Sequence, residues 1–105
     1  MDIKRVVNKL NHMDFLILDQ RGNVIYSSNH KENPLKKIIP EIQIVSSISN
    51  ELVKNLGRGD IFTIGFSSLE GNILVVTDSN FHIAVLLNKD ENIEKIEKEI
   101  QASLN

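Results

Sequence analysis

Three stretches of this chain are apolar without a polar break: Phe15-Leu16-Ile17-Leu18, Ile73-Leu74-Val75-Val76 and Ile83-Ala84-Val85-Leu86-Leu87. Each is short and bounded by turn chemistry. In a strand, unbroken apolar character means burial on both faces, because successive side chains point to opposite sides. Three such strands demand cover above and below, and the rest of the chain supplies it.

Gln20-Arg21-Gly22-Asn23 turns the first run into Val24-Ile25-Tyr26-Ser27, the returning arm of a hairpin. Further along, Ile61, Phe62, Ile64 and Phe66 interleave with Thr63, Gly65 and Ser67, which is strand alternation with one apolar face. Leu69-Glu70-Gly71-Asn72 and Asp78-Ser79-Asn80 then make the turns of a three-stranded meander.

Helical spacing fills the gaps. Ile3, Val6, Val7 and Leu10 predict a short helix over residues 2–11. Leu35, Ile38, Ile42, Val45, Leu52, Val53 and Leu56 fall on one side of a longer one. Proline is tolerated in a first turn and costly in an interior, so the regular helix is expected from about Pro40 to Leu56, after a lead-in turn. Gly57 ends it. Ile93, Ile96, Ile100 and Leu104 predict a last helix, entered through an Asn88-x-x-Glu91 capping pattern.

The order is αββαβββα, an α+β chain. One antiparallel five-stranded sheet is expected between helices, with strands 14–19, 72–77 and 81–87 central and strands 24–28 and 60–68 at the edges. Residues 1–105 are read as a single domain. Residues 28–34 are read as a solvated polar connector.

Phe15–Ser28 (FLILDQRGNVIYSS) followed by Leu52–Asp60 (LVKNLGRGD), in this element order, resembles the roadblock/LC7 family over nearly the whole chain. The chain departs from commoner members at Pro40 and in its short 29–34 loop. The resemblance implies a small scaffold with no catalytic motif. It also implies a dimer made through an edge strand and the long helix, in the service of Ras-like small GTPases or of motor and signalling complexes.

The residues themselves point to association. With Ile42 and Val45 at the centre of the buried stripe, Ile44 and Ile48 project well to one side, one turn apart. Either the buried stripe is wide, or this ridge meets its copy or a paralogue across a two-fold axis. Ile61-Phe62-Thr63-Ile64-Gly65-Phe66 carries none of the charges or prolines that normally blunt an edge strand. The expected dimer interface is therefore Ile44 and Ile48 for the helix seam, with Ile61, Thr63 and Gly65 for strand pairing. Together they would approach the standard interface, about 1,600 Å² in total.

Chemistry is nearly silent. With no cysteine among 105 residues, disulfides, thiolate zinc, iron–sulfur clusters and a Cys nucleophile are excluded. His12, His30 and His82 have no paired metal spacing, so no metal or cofactor is expected. Asp14, Asp19, Asp60 and Asp78 sit at strand ends, where short carboxylates close turns. Ser46, Ser47 and Ser49 have no evident activating partner, and phosphate-cradling and nucleophile-elbow motifs are missing. Arg58-Gly59-Asp60 reads as a connector, and Arg21 as a solubilising hairpin tip. The formal net charge of −2 gives no basic stripe for nucleic acid. No apolar run approaches membrane-spanning length, so no membrane insertion is expected, and the expected location is cytoplasmic. The expected function is a non-enzymatic, dimerising interaction module. A small-molecule sensor of PAS, GAF or profilin-like architecture is the alternative, and it would need a cavity. Few aromatics and many branched aliphatics suggest instead a filled core.

Overall fold

The computed structural model describes residues 3–28, 33–57, 62–67, 69, 71–78 and 80–104. Its elements are α1 (Ile3–Leu10), β1 (Asp14–Asp19), β2 (Val24–Ser27), a 3-10 turn (Pro34–Ile38), α2 (Ile39–Leu56), β3 (Phe62–Ser67), β4 (Gly71–Thr77), β5 (Phe81–Asn88) and α3 (Ile93–Leu104). The strands form one antiparallel sheet in the order β2-β1-β5-β4-β3. The three unbroken apolar runs are the three inner strands and the alternating ones are the edges, as their burial needs require.

Register sorts the side chains into two faces. On one, Phe15, Ile17, Leu74, Val76, Ile83, Val85 and Leu87 meet Val6 and Leu10 of α1 and Ile96 and Ile100 of α3. On the other, Leu16, Leu18, Val75 and Ala84 meet Leu35 of the 3-10 turn and Ile42 of α2. At β2, Leu18 pairs with Val24 and Ile17 with Tyr26, so Ile25 is an extra residue and the edge is bulged.

Local chemistry explains where the helices begin and end. Asn33 accepts from the Leu35 amide at 3.1 Å and so caps the 3-10 turn, the expected lead-in. Pro40 lies in the first turn of α2, where its missing N–H costs nothing. Gly57 takes the left-handed conformation at φ 65°, and its amide donates to Lys54 O, closing the helix.

Three expectations need correction. The Asn88/Glu91 pair forms, with Glu91 Oε1 accepting from the Asn88 amide at 3.0 Å, but it closes a turn before α3. The cap of α3 is Asn92, which accepts from Lys95 N at 3.2 Å. The 28–34 connector is not wholly solvated: Ser28 and Asn33 are buried, and Asn33 Nδ2 donates to Phe15 O at 2.9 Å and to Ser28 Oγ at 3.0 Å. This side chain adds a second donor to Phe15 O, which also accepts from the Ser28 amide at 3.1 Å, and so braces the end of β2. Finally, Leu52 and Leu56 do not pack inward but stand 59% and 63% exposed. The contact line of α2 runs instead through Ile42, Ser46, Ser49 and Val53. Small serines let the helix approach Thr77 closely, and that approach rotates the larger leucines outward.

Candidate functional site

The long helix has two distinct flanks. On one, Ile44 (60% exposed), Ile48 (66%), Leu52 and Leu56 follow one another at four-residue intervals. Side chains so spaced are neighbours on a helix surface and form a continuous ridge. Two of the four were expected from the sequence. Leu52 and Leu56 were assigned to the core because hydrophobicity alone cannot rank them below a serine.

Next to the ridge lies an incompletely covered part of the sheet. Ile64, Phe66 and Ile73 share the α2 face through the pairs Ile64–Val75 and Phe66–Ile73. Phe66 remains 46% exposed, Ile64 and Ile73 are half-buried, and a groove of about 340 Å³ opens against Phe66, Ile73 and Leu86. β3 is an edge strand, with β4 on one side only. Gly65 is exposed on it, whereas Thr63 faces α3 and its hydroxyl accepts from Gln101 Nε2 at 3.1 Å. Ile61, the remaining residue of the expected interface, lies outside the described residues, as do His30 and Arg58-Gly59-Asp60.

The opposite flank is polar. Gln43, Ser47, Asn50 and Lys54 recur at intervals of four, three and four residues and border a cleft of about 620 Å³. Its floor is Thr77 and His82, both buried, with the fully buried Ser46 beside them. Thr77 Oγ1 donates to Ser46 Oγ at 3.4 Å and lies 3.1 Å from His82 Nδ1. With the threonine proton directed at Ser46, the ring fits the Nδ1–H tautomer, donating to Thr77. Burial holds the imidazole below its ordinary pKa, although the Asp78 and Asp19 carboxylates pull the other way. His82 is therefore a neutral, buried histidine of β5. Ser46 is not without a partner. It is no nucleophile, however, because it is fully buried and a threonine stands between it and the imidazole.

Two tight turns lie side by side at the end of the sheet that borders the cleft. Asp19 Oδ1 accepts from the amides of Arg21 and Asn23, both at 2.9 Å, and these bonds lower its pKa, with Asn23 foremost. Asp78 Oδ1 accepts from the amides of Asn80 and Phe81, both at 2.8 Å. Gln20 Nε2 ties the two turns together by donating to Asp78 O at 3.3 Å. Gly22 is at φ 88°, a conformation that favours glycine, and the Gln43 carboxamide lies over it, in the space a Cβ would take. These carboxylates close turns, as their positions suggested. The polar stripe on α2 was not singled out in the sequence, although its 4-3-4 spacing beside an apolar ridge was there to find.

Among the described residues no cluster of three metal-capable side chains occurs, and no helix is long and apolar enough to cross a membrane.

No family model and no curated protein matches the chain. Solved structures do. A roadblock/LC7 domain from Streptomyces avermitilis superposes with a TM-score of 0.76 at 14% identity, covering 99% of this chain and 92% of that one. MglB of Myxococcus xanthus gives 0.72 at 13% identity, covering 94% and 82%. A structure described as MglB with tetrameric arrangement gives 0.71 at 14%, covering 96% and 80%. The chain has a roadblock/LC7-like fold.

Proposed function

We propose that this chain is a non-enzymatic scaffold that pairs with a second copy, or with a paralogue, and in that form serves a Ras-like small GTPase. The observation that carries the pairing is the juxtaposition of the α2 ridge with an unpaired, ungated edge. Four exposed aliphatic side chains in one row lie beside β3 and a half-covered apolar sheet face. Leaving that much contiguous apolar surface in water is unfavourable by about 25 cal/mol for each Å². A two-fold partner would set its own ridge against Ile44, Ile48 and Leu52 and could cover Phe66 and Ile73, while Gly65 offers close backbone approach for β3–β3 pairing. Thr63 contributes to that pairing through its backbone, since its hydroxyl is already engaged by Gln101.

The GTPase is supported by the roadblock resemblance and by the fold, and the tetrameric arrangement described for one similar structure agrees with a surface built to associate. Light scattering at tens of micromolar is expected to return twice the 11.9 kDa chain mass. A monomer at that concentration overturns pairing with itself. An equal mixture with each paralogue of the source organism then tests the heterodimer. For the partner, the immobilised protein is expected to retain a Ras-like GTPase in one nucleotide state over the other. Equal or no retention across the GTPases of the source cell defeats that assignment.

A further inference from the structure

The polar cleft lies mostly on the flank of α2 opposite the ridge, with Ile44 of the ridge also on its lining, and it is unlike the rest of the interior. Elsewhere the sheet meets its helices mainly through buried apolar side chains, from Leu16 and Ile42 on one face to Ile83 and Ile100 on the other, with the Thr63–Gln101 bond at the β3 edge. Here three buried hydroxyl and imidazole groups, Ser46, Thr77 and His82, occupy the contact. Their mutual hydrogen bonds largely replace bonds to water, so they add little stability compared with apolar groups of the same volume. They also fail to fill the space above them, and a cleft of about 620 Å³ remains. That is within the ordinary size range of small-molecule sites, roughly 300–1,000 Å³.

The lining narrows the chemistry. Lys54 is the one permanent cation among the described lining residues, and none of them is a carboxylate. Asn50 sits one turn before Lys54 on the same flank, which offers a neutral donor beside the ammonium. Toward the other end, Gln43, its carboxamide held over Gly22, and Gln20 present amides that both donate and accept. Neutral His82 in its Nδ1–H tautomer keeps Nε2 as an acceptor for a hydroxyl. No aromatic face other than this imidazole lines the cleft, so nothing is provided for stacking a flat base. An ammonium and an amide at one end suit phosphoryl oxygens. Amides, hydroxyls and an imidazole acceptor at the other suit vicinal hydroxyls.

We propose that the α2–sheet cleft binds a small phosphorylated polyol or sugar, with its phosphoryl group at Lys54 and Asn50 and its hydroxyls toward Gln43, Gln20 and His82. Because Ile44 belongs to both the ridge and the lining, the site would place a bound metabolite next to the pairing flank of the scaffold.

The test is an amide-resolved NMR titration of the whole protein with glucose 6-phosphate, glucose and inorganic phosphate in parallel. Glucose 6-phosphate is expected to give saturable shifts confined to residues 43–54, 20–22 and 77–82. Glucose and phosphate alone should bind at least about tenfold more weakly, because each engages one end only. Lys54→Ala is expected to weaken glucose 6-phosphate about tenfold or more while leaving the thermal midpoint unchanged, since the side chain is exposed. Ser47→Trp, which fills the cleft from an exposed helix position, should abolish the shifts. Linear, dispersed shifts, equal binding of inorganic phosphate, or an unaltered response in Lys54→Ala would each overturn the proposal. Because Ile44 borders both the cleft and the ridge, light scattering is run on the same samples, and saturable shifts in Gln20, Thr77 and His82 with the mass unchanged separate this outcome from that of the pairing experiment.

Discussion

The two faces of the sheet obey different rules. Under α1 and α3, twelve buried apolar residues among those described make a continuous core. Under α2 the corresponding set among the described residues has six, joined by the polar Ser46, Thr77 and His82. The first face is what a chain of this size needs in order to fold, and the second holds its helix less tightly. What α2 gives up in burial reappears as an exposed ridge on one flank and an open cleft on the other. A single element is thereby both the least buried helix and the one with most surface to offer.

That contrast can be broken by mutation. Ile83→Ala, in the fully buried middle of the α1/α3 face, is expected to cost about 2–5 kcal/mol in chemical denaturation. Leu52→Ala on α2 should cost the dilute, unpaired chain less than about 0.5 kcal/mol. Equal losses would mean that the faces do not differ. Ile44→Asp with Ile48→Asp should weaken pairing by about 100-fold or more in sedimentation equilibrium, about 2.7 kcal/mol, because both charges would be driven into an apolar seam. Asn33→Ala, which takes the side-chain acceptor from the buried Leu35 amide while Phe15 O keeps its bond from the Ser28 amide, should cost about 1–3 kcal/mol and destabilise the entry to α2 first.

The smallest effect is a pH slope. The native His82 pKa is lowered, so the unfolded chain binds the proton more readily. Its contribution to stability is complete above the ordinary value of 6.5 and is lost as pH falls through 6.5 toward the depressed native value. The groups facing the ring are Thr77, the Asp78 and Asp19 carboxylates, and Lys54 across the cleft. His82→Gln should flatten the slope of thermal midpoint against pH between 7 and 5. Asp19, whose pKa is lowered from 3.8, acts in a more acidic window and leaves this one undisturbed.

Much of this architecture was legible in the residues. Unbroken runs such as Ile83–Leu87 have only one economical placement, in the middle of a sheet with cover on both sides. Gly57 and Pro40 fixed the limits of α2 through backbone geometry, which is local. The orientation of α2 was harder to read, because it depends on how closely Ser46 can approach Thr77, and Thr77 is 31 residues away in the chain. Hydrophobicity therefore placed Leu52 and Leu56 inside and overlooked the serines. Ile44 and Ile48 were visible because their angular position is far from any version of the core stripe. The cleft was hidden for a different reason. It is assembled from a helix flank, a hairpin turn and the ends of two strands, none of which is unusual alone. Asn33 was missed similarly: a polar residue in a polar loop gives no hint that it will be recruited to brace a strand end.

The two borders of the sheet have unequal fates. β2 spans four residues and carries an inserted residue at Ile25, a kink that spoils the straight ladder another strand would need. β3 spans six residues in uninterrupted register with β4. A sheet that accepts a newcomer on one side only reaches its limit after a single addition. Two copies joined there, as proposed, would show only kinked margins to the solvent, and such an assembly would close on itself without growing into a fibre.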